Sequence, residues 1–163
     1  MKKIFIGIDP GTQSVGYSVL FSSGEKFKFL KTGVLKIGRE EKFKFKIIYE
    51  YFYEIFLNLK KSYNLEIILC VESQFVFKNP ASTFLIVSAK TIFLLLAQQF
   101  SFSSVEISPR KIKKIVFGNG NADKFDIQNA ISNFFEIRDF SSFDESDAMA
   151  ISFAAAILDN KIQ

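Results

Sequence analysis

The run "LEIILCVE", residues 65–72, sets the tightest limit on how this chain can fold. It is a continuous stretch of apolar, β-favouring residues without polar alternation, the pattern of a strand buried on both faces. Such a strand needs neighbours in a sheet and a covering layer on either side. It ends at an acid, Glu72, and the earlier apolar run "KIFIGI", residues 3–8, leads to another, Asp9. Functional groups collect at the carboxyl ends of strands where neighbouring strands lead in different directions. If these two strands are neighbours, Asp9 and Glu72 sit side by side.

The remaining pattern predicts the cover. After Asp9 the turn "PGTQ" leads to a strand around "VGYSVLF", and Gly24 turns the chain into a third near "KFKFLKTGVLKI", an antiparallel meander. From about Glu40 to Ser62 the apolar residues Phe45, Ile48, Phe52, Ile55, Phe56 and Leu59 recur at helical spacing, with Asn64 as the stop. A second helix follows the Asn79-Pro80 break and runs to about Phe100, and a strand covers "SVEI", residues 104–107. Ser108 then caps a helix with Pro109 at its first position. "GNGN" breaks that helix, another spans Ala122 to Phe135, and a last one closes the chain. The order indicates an α/β fold, a mixed sheet flanked by helices on both faces. At 163 residues, with no repeat, low-complexity segment or linker, one domain over 1–163 is expected.

The last helix carries "DESDAMAIS" at its start. Ser142 and Glu145 match the S-x-x-E capping box, and the residues that follow are apolar nearly all round, so the helix packs deep. Asp144 and Asp147, three apart, project from one side of its first turn. Acids in a first turn can simply complement the helix macrodipole. Here the helix start can also reach the strand ends that carry Asp9 and Glu72.

Composition excludes several chemistries. There is no histidine, and the one cysteine, Cys70, lies inside the buried run. Ser-His-Asp and Cys-His catalysis, imidazole ligation and Cys/His zinc sites are therefore out. No intrachain disulfide is possible, Asp9 and Pro10 interrupt any signal-peptide core, and the longest apolar run near a span, "IFLLLA", is far too short. A cytoplasmic protein without a membrane partner is expected.

Four carboxylates in one place repel unless a cation joins them. Mg²⁺ prefers carboxylate oxygen and retained water and needs no histidine. Two such ions can activate water and bridge a phosphate during in-line displacement, which points to phosphodiester hydrolysis. The net charge of +4 is modest, but Arg110, Lys111, Lys113, Lys114 and Lys124 crowd one short region in which Asp123 is the only acid. That is either a solvated lysine face or a phosphate-binding surface.

The stretches "GIDPGTQSVGYSVL", "VESQFVFKNPAS", "ISPRKIKKIVFGNGNADKFDIQ" and "DESDAMAIS", taken in order and at their spacing, resemble the RuvC family of Holliday junction resolvases over essentially the whole chain. The resemblance implies a ribonuclease H-like fold with a five-stranded sheet, and Mg²⁺-dependent cleavage of four-way DNA junctions by a homodimer that nicks two strands of like polarity. It implies two ions per site, with Mn²⁺ able to substitute, and a branch-migration helicase complex as a further partner. By motif, Asp9, Glu72, Asp144 and Asp147 match the catalytic, metal-holding carboxylates. Phe75 matches an aromatic that stacks on bases at the opened crossover, and Lys113 and Lys124 match DNA-contacting lysines. The chain departs from the common pattern at Ser73 and Gln74 after Glu72, at "TQSVGY", and at Asp144, where some members carry histidine.

Other readings stay open at this level. "GIDPGT" also resembles the phosphate hairpin of actin-like sugar kinases and chaperone ATPases, although no second such hairpin follows. A relative on the same fold could cut other branched DNA or RNA, and an inactive junction binder would look similar apart from a lost ligand.

Overall fold

The computed structural model describes residues 1–73 and 80–162, with backbone alone for 80–82 and 161–162. Its strands are β1 (Lys2–Asp9), β2 (Ser14–Ser23) and β3 (Lys26–Lys36), followed by helix α1 (Lys44–Ser62), β4 (Glu66–Glu72), helix α2 (Pro80–Gln99) and β5 (Ser103–Ile107). Three helices complete the chain, α3 (Pro109–Phe117), α4 (Lys124–Phe135) and α5 (Phe143–Ile162). The five strands form one sheet in the order β3-β2-β1-β4-β5. Strands β1, β2 and β3 pair antiparallel, whereas β4 joins β1, and β5 joins β4, in parallel. The sheet is therefore mixed, as the sequence pattern predicts.

The two-faced burial of β1 and β4 follows from strand alternation. Ile4, Ile6, Ile8, Ile67, Leu69 and Val71 pack with Phe52, Phe56, Phe93 and Leu96 from α1 and α2. Phe5, Ile68 and Cys70 pack on the opposite face with Ile112, Ile127, Ile131 and the apolar run of α5. Cys70 is fully buried among them, and burial pushes its thiol pKa well up, so it is an inert core residue.

Two predicted boundaries shift. Helix α1 begins at Lys44 rather than near Glu40, because residues just before it turn: Glu41 N–H donates to the Gly38 carbonyl and Phe43 N–H to Glu41 Oε1. Helix α4 begins at Lys124 rather than Ala122, set by a reciprocal capping box between Asp123 and Asp126. The Ser108 cap stands as read, with Pro109 at the first position and Gly118, in the left-handed region at φ 88°, ending α3.

Helix α5 lies unusually close to the sheet because the residues beneath it are small. The Ser18 hydroxyl donates to the Ala148 carbonyl at 2.8 Å and meets the Ser152 hydroxyl at 2.8 Å. A β-carbon on Gly7 would stand 2.1 Å from the Ala148 carbonyl oxygen, and one on Gly16 would stand 1.9 Å from that of Asp144. At the other end of the helix, buried Lys3 bonds Asp159 at 2.9 Å and Glu66 at 3.2 Å. Asn160 donates to the Gly24 carbonyl at 2.7 Å. The helix is thus fixed at both ends against β1 and β2.

Gly16→Ala should force the first turn of α5 off the sheet, since the obstructing atom is backbone. We expect a loss of about 1–3 kcal/mol in urea unfolding, the usual cost of overpacking a close-fitted position. A wild-type midpoint would refute the close approach.

Candidate active site

The register of β1 and β4 pairs Ile8 with Val71 in parallel, so the next residues, Asp9 and Glu72, come off the sheet together at its carboxyl edge. The seam under α5 then brings the first turn of that helix over the same edge. Asp9, Glu72 and Asp147 line one open cleft of about 340 Å³ together with Lys113 of α3 and Lys124 of α4. Pro109, Ile112 and Ile127 add apolar lining. Three predicted carboxylates and both predicted lysines therefore meet in one place.

The fourth acid sits beside the cleft and not on its lining. Asp144 Oδ2 accepts a hydrogen bond from the Ser14 hydroxyl at 2.5 Å, which ties it to the start of β2. It still acts on Asp9 through space. Phe75, the predicted base-stacking aromatic, lies outside the described residues, as does Gln74; Ser73 N–H donates to the Ile107 carbonyl at 2.9 Å.

The electrostatics are those of crowded anions short of positive charge. Burial, then the carboxylates of Asp147, Asp144 and Glu72, push the Asp9 pKa up to about 7, with Lys124 partly opposing them. Glu72 is raised by burial and by Asp147 against the pull of Lys113, Lys124 and Lys90. Asp147 is raised by burial, offset in part by Lys124. The Lys124 ammonium stands 4.0 Å from Asp147 Oδ2, but its side chain is mostly exposed, so this pair contributes little by itself.

The donor set fits a hard divalent cation: every candidate is a carboxylate, and the most deeply held of them is the one most destabilised as an anion. Among the described residues no three ligating side chains already close into a cage. The Ser14 bond to Asp144 accounts for where that acid points.

Several supporting residues were not legible in the sequence. The Ser142–Glu145 capping box does not form: Ser142 Oγ is buried without a hydrogen-bond partner. Glu145 instead accepts from Thr32 Oγ1 of β3 at 2.6 Å and from the Ser141 amide and hydroxyl at 2.8 and 2.7 Å. Burial opposes its ionisation, yet these bonds prevail and its pKa is lowered. The motif selects the right glutamate, but tertiary contact with β3 outcompetes the local box. Lys90, buried in α2, pairs with Glu106 and reaches the Glu72 carbonyl at 3.4 Å. A lysine inside an apolar helix was the available signal for it.

Comparison with known proteins adds the family. The model of the crossover junction endodeoxyribonuclease RuvC family matches residues 5–155. A RuvC of Pseudoalteromonas translucida is 31% identical over 94% of this chain and 86% of its own length. One of Wigglesworthia glossinidia brevipalpis is 30% identical over 96% and 95%. Among solved structures, T. thermophilus RuvC in complex with a Holliday junction substrate aligns with a TM-score of 0.84 at 22% identity, covering 97% of this chain and 95% of that one. The Fowlpox virus resolvase bound to Holliday junction DNA aligns at 0.56 and 11% identity, over 94% and 99%. These likenesses bear out the ribonuclease H-like architecture. The carboxylate-lined sheet edge and the sequence match over nearly the whole chain together place this protein in the RuvC family of crossover junction endodeoxyribonucleases.

Proposed function

We propose that this chain resolves four-way DNA junctions by metal-dependent hydrolysis of phosphodiester bonds, nicking two strands of like polarity symmetrically. The observation that carries the reading is the meeting of Asp9, Glu72 and Asp147 with Lys113 and Lys124 in one cleft of a RuvC-family chain. Nucleases of this family depend on a metal. Mg²⁺ is the ion proposed here, two per site, with Mn²⁺ able to replace it; Asp9, Glu72, Asp144 and Asp147 would hold it. When bound, it supplies the positive charge that lets the acids ionise together and polarises the phosphate and the attacking water.

The chain's own groups divide the remaining work. Lys113 and Lys124 draw the phosphodiester into the cleft and orient it against the acids. Attack of a water oxygen on phosphorus breaks one P–O ester bond, and the departing oxygen takes up a proton. Asp9, balanced near pH 7 by its burial and its neighbours, must give up its own proton before the acids can act together. Ser14 holds Asp144 beside the cleft, and Lys90 braces the backbone that carries Glu72.

A homodimer would present two such clefts to the two strands. Its support in this chain is the apolar surface of α2, where Phe84 is 71% and Leu95 58% exposed. Exposure of that size on one helix favours a covered interface. A branch-migration helicase complex is the further partner proposed, and Phe75, on family resemblance, is the residue assigned to stacking at the crossover. No helix among the described residues is long and apolar enough to cross a membrane.

The decisive experiment compares an end-labelled four-way junction, a linear duplex and a splayed fork, with and without Mg²⁺. Paired symmetric nicks confined to the junction and requiring metal are expected; binding without cuts, or cuts in all three, would overturn the reading. In the same assay Asp9→Asn should remove cleavage and leave junction binding largely intact, and near-normal cutting by that variant would remove Asp9 from the mechanism.

The raised Asp9 pKa has two consequences with a definite sign. At subsaturating Mg²⁺ cleavage should fall as pH drops below about 7, because the ion must displace the Asp9 proton of the metal-free site, and saturating Mg²⁺ should lift that dependence. The metal-free protein should behave in the opposite sense. Its folded state holds this proton more tightly than the unfolded chain, so stability falls as pH rises from about 4 to about 7. Asp9→Asn should therefore be more stable than wild type at pH 7.5 in EDTA, on the order of a few kcal/mol, and show a shallower pH dependence. Equal unfolding curves would contradict the crowding described above.

Replacing Lys113 and Lys124 together by Ala should weaken binding and flatten the plot of log affinity against log salt by about two phosphate contacts' worth. An unchanged slope would mean that the DNA lies elsewhere.

A further inference from the structure

Next to the cleft stands a large apolar side chain that neither the core nor the proposed mechanism uses. Phe125, the second residue of α4, is 64% exposed. Its covalent neighbour Lys124 lines the cleft and approaches Asp147. Its ring makes a T-shaped contact with the ring of Phe143, with centroids 5.0 Å apart and planes at 88°. Phe143 is in turn the residue immediately before Asp144, at the start of α5. The pair therefore spans the rim between Lys124 and the acid-bearing helix.

Two features make this rim more than stray apolar surface. The ring is held: the reciprocal Asp123–Asp126 box fixes the first turn of α4, and the edge-to-face contact with Phe143 restrains the side chain. A perpendicular contact also occupies only one side of the ring and leaves broad apolar surface to solvent. The cationic groups beside it, Lys113 and Lys124, favour a polyanionic occupant. A rigid aromatic face flanked by phosphate-attracting lysines is how single-stranded nucleic acid is gripped, since every base offers a π-face.

We propose that Phe125, backed by Phe143, is a stacking platform for an unpaired base adjacent to the phosphate bound in the cleft. The contact places that nucleotide from the α4–α5 side of the site and rewards DNA whose pairing is already opened, as at a branch point. It rests on the nuclease reading given above and adds a second aromatic contact, independent of Phe75. Because stacking does not depend on charge, it contributes affinity without contributing to the salt slope.

The chain has no tryptophan, so Phe125→Trp would be its single tryptophan and a reporter without background. In the Asp9→Asn background, titration with a four-way junction should quench that emission in step with binding followed independently by anisotropy of labelled DNA. Phe125→Ala should bind the junction more weakly by roughly fivefold to a hundredfold with an unchanged salt slope, and Phe125→Trp should restore affinity. If labelled junction saturates while tryptophan emission stays unmoved, the platform is refuted, and this rim is free for a protein partner instead. Should wild type neither bind nor nick junctions, the nuclease reading itself fails and this inference with it. Binding and nicking with an unmoved reporter would sink the platform alone.

Discussion

The structure depends on how closely α5 can approach β1 and β2. Gly7, Gly16 and Ser18 present almost no side chain to the helix, so backbone carbonyls of Ala148 and Asp144 come down where any β-carbon would collide. A helix whose middle is apolar nearly all round gains most of its stabilisation from such contact. The same contact leaves the helix little freedom of height or rotation. That constraint carries the acids of the first turn to the sheet edge where β1 and β4 end. The Lys3–Asp159 pair at the far end keeps the helix from sliding along its axis.

The site inherits a conflict from this rigidity. Packing forces acidic groups together, and burial raises the cost of their charge, so Asp9 stays protonated at a pH where a free aspartate would be fully ionised. Local stability has been given up for a concentrated demand for positive charge. Protein lysines meet that demand only in part, since Lys124 is exposed and the acids stay raised despite Lys113 and Lys124. A metal ion held by these acids would satisfy it more fully and leave the lysines for the phosphate assigned to them above. Carboxylates and lysines lining one cleft are what the metal-assisted hydrolysis proposed above requires.

Groups that aim the acids come from elements distant in sequence. Ser14 reaches Asp144 across 130 positions, and Thr32 reaches Glu145 across 113. Lys90 crosses from α2 to the Glu72 backbone and to Glu106. Thr32 and Lys90 belong to no motif, and although Ser14 lies within the first, each bond exists only because the sheet order puts β2, β3 and α2 next to the site. The Ser142–Glu145 box shows the same principle in reverse. A local pattern that was correct in kind lost to Thr32, a partner supplied by the fold.

The sequence by itself determined the class of the fold and singled out the acids that the fold gathers near the sheet edge. Periodicity 2 and 3.6 is a property of neighbouring residues, so strands, helices and two-sided burial could be read directly, and apolar runs ending at Asp9 and Glu72 marked the sheet edge. The absence of histidine fixed the kind of ligand available. Helix starts were less legible: α1 and α4 begin where turns and reciprocal caps stop the chain, features weaker than periodicity. Tertiary structure alone decided that Asp144 leans on Ser14 instead of lining the cleft, that Glu145 belongs to β3, and that Phe125 stands exposed at the rim. Those outcomes depend on distances between residues far apart in the chain, which no local pattern encodes and which close packing alone sets.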